Sequence, residues 1–184
     1  TVTANLLLPF VNHLEIFCFI FQFLSTIVLV LGLEKLARRF IGNKYMAWLA
    51  VMTALVPLND FALGNVELYS ECFQASGLAV AIVVWAINLF LGKKYFGASV
   101  LLSAATFIQL LEGLDVMLVL SAVLFIAAVR NEVSVKTFLQ FVAVYGFTAG
   151  SYLVLIFMQK NVTADVSNEE LFKILFEFRH PHHF

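Results

Sequence analysis

IFCFIFQFLSTIVLVLGL, residues Ile16 to Leu33, is a run of 18 residues without a charge. It approaches the ~20 residues that cross about 30 Å of hydrocarbon as a helix. Reading outward from one polar cluster to the next gives five more apolar runs: Tyr45 to Phe61, Ala75 to Leu91, Phe96 to Leu111, Leu114 to Val129 and Thr137 to Met158. Composition agrees with them. Of 184 residues 62% are apolar and 12% charged, where a soluble domain has roughly half and roughly one quarter. A single core of this length could not hide 20 Phe while 11 basic and 12 acidic side chains solvate the outside. Unpaired backbone groups are not tolerated in lipid, and the alternation of barrel strands is missing from these continuous runs. The expected fold class is therefore all-α, a polytopic bundle of about six transmembrane helices. Disorder is excluded by the apolar content. A nucleic-acid partner is excluded by a net charge of -1 and by basic residues that sit in small clusters rather than one stripe.

The connections between the runs sort by charge. Lys35, Arg38, Arg39 and Lys44 follow the first run, Lys93 and Lys94 the third, and Arg130 and Lys136 the fifth. These alternate loops hold eight of the eleven basic residues but only Glu34 and Glu132 among the acids, which leaves ten of twelve carboxylates and all four histidines on the other side. Loops rich in Lys and Arg face the cytoplasm. Six spans, with the N-terminal end and the C-terminal tail external, satisfy every loop at once. No basic n-region precedes the first run, so a cleavable signal peptide is not expected. The opening Thr1 and the closing His-rich stretch read as a piece of a longer protein.

Two units are expected: a bundle over residues 1–158 and, over 159–184, an external loop with an interfacial helix and a His-rich end. Ser167 and Glu170 have the form of a capping box. Glu170, Lys173 and Glu177 share one face of the segment that follows, and Leu and Phe residues cover the rest. Within the sixth run, Gly146 and Gly150 form a G-x-x-x-G that would let another helix approach, inside the chain or across a dimer, or that arises by chance in an apolar helix and has no role. Cys18 and Cys72 make no disulfide framework and read as small apolar residues.

Candidate chemistry gathers on the external side. His13 and Glu15 precede the first span; they suit a metal or a proton relay, or simply polar residues at an interface. Asp60, Glu67 and Glu71 lie between the second and third spans with Asn59, Asn65 and Tyr69. Such a loop can hold a divalent cation through oxygen, act as acid and base on a sugar or phosphate, or merely end two helices. Glu112 and Asp115 are expected in a turn between the fourth and fifth spans, facing a polar cavity or capping a hairpin. Arg179, His180, His182 and His183 combine a guanidinium fork with three imidazoles around Pro181, a pattern suited to phosphate before metal. No P-loop, H-E-x-x-H, C-x-x-C or G-x-S-x-G is present. No ionisable residue lies mid-span; Gln22, Asn88 and Gln109 are the polar handles there.

The Arg-x-Pro-His-His stretch from Arg179 to His183 resembles the signature of a family of bacterial multispanning proteins related to the GT-C superfamily of lipid-phosphosugar glycosyltransferases. Gly64-Asn65-x-Glu67-Leu68 and Glu112-Gly113-Leu114 are compatible with it. The resemblance implies a transferase of the bacterial inner membrane that takes a sugar from a polyprenyl-phosphate carrier on the external face. It would make Arg179, His180, His182 and His183 phosphate contacts, and Glu67 or Asp60 part of an acidic acceptor or metal site. The superfamily's catalytic carboxylate lies in the first external loop of the full protein, upstream of Thr1 by this reading. Two other classes compete: a transporter or flippase-like bundle, and a non-catalytic membrane subunit.

Overall fold

The computed structural model describes residues 14–55 and 75–159. They form six helices, α1 (Leu14–Phe40), α2 (Lys44–Leu55), α3 (Ala75–Leu91), α4 (Tyr95–Ile108), α5 (Leu110–Val129) and α6 (Val135–Gln159), and the described fold is all-α as expected. Three segments are long and apolar enough to cross a membrane: Cys18–Phe40, Leu110–Val129 and Val135–Leu155. Ser76–Leu91 and Tyr95–Ile108 are apolar but shorter. The chain is an integral membrane protein. Its long helices present bulky apolar side chains outward, among them Phe19, Leu118 and Phe147, which a bilayer covers and water would not.

α4 is the centre of the bundle. At 14 residues it spans only about 21 Å. That length suits a helix sheathed by protein rather than by lipid. It packs against α3, α5 and α6 and buries Ala98, Ser99, Leu102, Ser103, Ala105 and Thr106. Small residues are what allow three neighbours to approach one helix closely. On the other flank α1 packs along α3 and carries α2.

Three expectations are corrected. The first helix does not end at Leu33 but runs on to Phe40, so Lys35, Arg38 and Arg39 are helical. Hydropathy marks where lipid stops, not where the ladder stops; Glu34 pairs with Arg38 one turn on, and nothing breaks the helix before Gly42. Glu112 and Asp115 do not form the turn between the fourth and fifth spans. That turn is Gln109 alone, in extended conformation, and Glu112 stands in the first turn of α5. An acid there is favoured by the helix dipole. Finally, Gly146 and Gly150 do not mediate a helix contact among the described residues: a Cβ at either would meet nothing within 4 Å, and Ala149 is the buried small residue of that turn.

The turns at one end are closed by backbone geometry. After α3, Lys93 N donates to Phe90 O and Lys94 N to Leu89 O, with Lys93 at φ 60. After α5, Asn131 N donates to Ala128 O and Glu132 N to Ala127 O, with Asn131 at φ 58. Both are Schellman endings with a non-glycine residue in the left-handed position. Asn43 Oδ1 accepts from Tyr45 N at 2.9 Å and caps α2. Because successive helices reverse direction, all eight described Lys and Arg gather at this end, and Glu112 and Asp115 lie at the other.

Candidate functional site

Two polar seams run through the bundle. The first joins α4 to α6. Ser99, Ser103 and Thr106 lie on one face of α4 by their spacing of four and three. Ser99 Oγ donates to Phe141 O at 2.8 Å, Ser103 and Thr148 share a hydroxyl bond of 2.6 Å, and Thr106 shares one of 2.8 Å with Tyr145. Ser103, Thr106 and Thr148 each also reach a carbonyl one turn back in their own helix. Every hydroxyl on this seam is satisfied. Thr106 also fixes the neighbouring hairpin. A Cβ on Gly113 would overlap Thr106 and the carbonyl of Leu102, so only glycine lets α5 lie this close to α4 beside Glu112.

The second seam joins α1 to α3 and ends in charge. Trp85 Nε1 donates to Val28 O at 2.9 Å, and Gly32 makes room for the indole, since a Cβ there would stand 2.9 Å from Nε1. One helical turn on, Asn88 Nδ2 donates to Gly32 O at 2.9 Å and to Val84 O at 3.0 Å. Asn88 is 1% exposed, and its Oδ1 is the buried side-chain atom without a hydrogen-bond partner among the described residues. A buried acceptor left unpaired costs about 1–3 kcal/mol. Continuing along α1, Lys35 Nζ lies 4.8 Å from the centre of the Trp85 ring, and Arg39 Nη2 donates to Asn88 O at 2.9 Å. Gly92 packs under the guanidinium: a Cβ on it would come within 3.1 Å of Arg39 Nη2. Lys35 and Arg39 are thus positioned by a π face and a carbonyl, both uncharged.

The sequence-derived candidates fall into two sets. Glu112 is half-buried and Asp115 exposed, the one in the first turn of α5 and the other just beyond it. Asp60, Glu67, Glu71, His13, Arg179, His180, His182 and His183 lie outside the described residues, as do the capping box at Ser167 and the interfacial helix. Among the described residues no three His, Cys, Asp or Glu side chains come together as a metal site. Of the polar handles, Asn88 is the buried bridge of the second seam, and Gln109 makes the α4–α5 turn. Sequence reasoning missed the part played by Trp85, Lys35 and Arg39. The available signal was the spacing of Lys35 from Arg39 and of Trp85 from Asn88, four and three residues, which gives each pair one helix face.

No protein-family model, curated protein or solved structure matches the chain.

Proposed function

We propose that this chain is the membrane part of a GT-C-like glycosyltransferase that accepts a polyprenyl-phosphate sugar at the bundle end opposite its Lys and Arg cluster. By this reading that end is external, the N-terminal end and the C-terminal tail share it, and the membrane is the bacterial inner membrane. The observation that carries the proposal is the separation of charge. The eight described basic residues share one end, and Glu112 begins α5 at the other, held beside α4 by Gly113. Attack at an anomeric carbon needs a carboxylate to activate the acceptor and cationic donors to stabilise the departing phosphate. Asp60, Glu67, Glu71, Glu112 and Asp115 are the acidic candidates, with oxygens suited to a divalent cation, and Arg179, His180, His182 and His183 are the phosphate candidates.

The test is turnover of a polyprenyl-phosphate sugar by the purified intact protein in liposomes. Wild type is expected to consume the donor. Arg179→Ala, and His182→Ala combined with His183→Ala, are expected to reduce turnover by at least about 100-fold, the scale of losing charge stabilisation of a leaving group. Membrane insertion of the variants stays unchanged. Normal turnover in these variants, or none by wild type, overturns the proposal.

A further inference from the structure

The basic end of the α1–α3 seam carries a second, independent proposal that does not rest on the transferase reading. Lys35 and Arg39 stand one turn apart on α1, exposed at their heads, and meet Trp85 and Asn88 on α3. Their partners are neutral, so their charge is uncompensated. Glu34, adjacent to Lys35 in the chain, is paired with Arg38. Arg39 gives one N–H to Asn88 O and retains the rest of its five donors; Lys35 has three. Lys93 and Lys94, both exposed, follow Gly92, on which the guanidinium rests, so two more cationic residues stand in the turn next to Arg39. Fixed cations with free donors bind phosphate.

The surroundings select the kind of phosphate. Phe40 and Tyr45, 75% and 82% exposed, flank the end of α1 as residues at a headgroup boundary do. Three residues beyond Gly92, a distance of at most about 11 Å, Tyr95 begins the wall of a cavity of about 260 Å³ between α4 and α6. Phe96, Phe141 and Val144 make it largely apolar. A headgroup site with an apolar cavity beside it fits one molecule having both parts. We propose that an anionic phospholipid of the adjoining leaflet binds here, its phosphate on Lys35, Arg39, Lys93 and Lys94 and an acyl chain against Tyr95, Phe96 and Val144.

The experiment is thermal unfolding of the whole protein in neutral detergent, titrated separately with phosphatidylglycerol, phosphatidylcholine and inorganic phosphate. Phosphatidylglycerol is expected to raise the midpoint saturably, and the other two are not. Each basic residue near an anionic headgroup contributes about fivefold in affinity. Lys35→Gln with Arg39→Gln should therefore raise the half-saturating concentration about 25-fold. Lys93→Gln with Lys94→Gln, which leaves packed side chains untouched, should raise it at least about fivefold. Arg130→Gln with Lys136→Gln removes the same charge from the other turn at this end and should change it less than about twofold. If the Lys35 and Arg39 variant does not fold, the last two pairs decide. Equal stabilisation by phosphatidylcholine or by inorganic phosphate overturns the proposal, as does equal weakening by the Arg130 and Lys136 pair.

Discussion

The seam between α1 and α3 and the seam between α4 and α6 both carry polar side chains through apolar surroundings, yet their bonding is opposite in kind. On α4 and α6 the groups are hydroxyls, most of them also bonded within their own helix, and none lacks a partner. Such bonds hold helices together in lipid and leave little for a ligand. On α1 and α3 the side chains cross to the other helix's backbone, end in two cations with neutral partners, and leave Asn88 Oδ1 unpaired. A fully satisfied seam is explained by packing. A seam with unused donors and an orphaned acceptor has bonding capacity left over, which packing alone does not explain.

The largest expected effect comes from changing the orphan itself. Asn88→Asp places a carboxylate where an amide donated to Gly32 O and Val84 O, so two bonds are lost and a charge is buried near the end of a span. The cost is at most about 3 kcal/mol, the value for an acid at the centre of a span. Asn88→Leu loses the same bonds but also removes the unpaired Oδ1, and its cost is within about 1 kcal/mol. Unfolding free energies in mixed micelles separate the two. Equal losses would mean that Oδ1 is no liability, and the contrast between the seams would fall.

An intermediate effect is expected on the other seam. The double-mutant cycle of Thr106→Val with Tyr145→Phe should show a coupling of about 0.6 kcal/mol, and no more than about 1.7, because the two hydroxyls are 2.8 Å apart and bonded to each other. The same variants should leave the response to phosphatidylglycerol unchanged. A lipid response that moved with Thr106 would join the two seams into one unit.

Much of the fold is legible in the sequence because lipid imposes a simple rule. The limits of α3, Ala75 and Leu91, coincide with those of its apolar run. The reach of α1 to Phe40 was not legible, since the Glu34 and Arg38 pair sustains a helix in residues that hydropathy assigns to a loop. Nor was the break at Gln109. Gly113 looks like a turn residue in sequence, and only the approach of Thr106, seven residues earlier, shows that it is needed inside a helix. The candidate site divides the same way. Its charges could be counted from the sequence, but the bonds from Trp85 to Val28 and from Asn88 to Gly32 span more than fifty residues and have no local signature.

The smallest expected effect concerns a motif that favours a third seam. Gly146 and Gly150 have the spacing that brings transmembrane helices together, and Gly146 is exposed on α6. A Cβ on either meets open space, so Gly146→Ala and Gly150→Ala introduce no clash within the described fold. Alanine also costs less backbone entropy than glycine in a helix, worth roughly 0.5 kcal/mol at each site. Both variants should therefore be slightly more stable than wild type in unfolding titrations, in contrast to Gly113, where the neighbouring helix occupies the space a Cβ needs. A loss above about 1 kcal/mol that deepens with protein concentration would show that a second copy packs on this stripe. The bundle would then have a helix contact that its own chain does not supply, and α4–α6 would no longer be the seam with nothing left to offer.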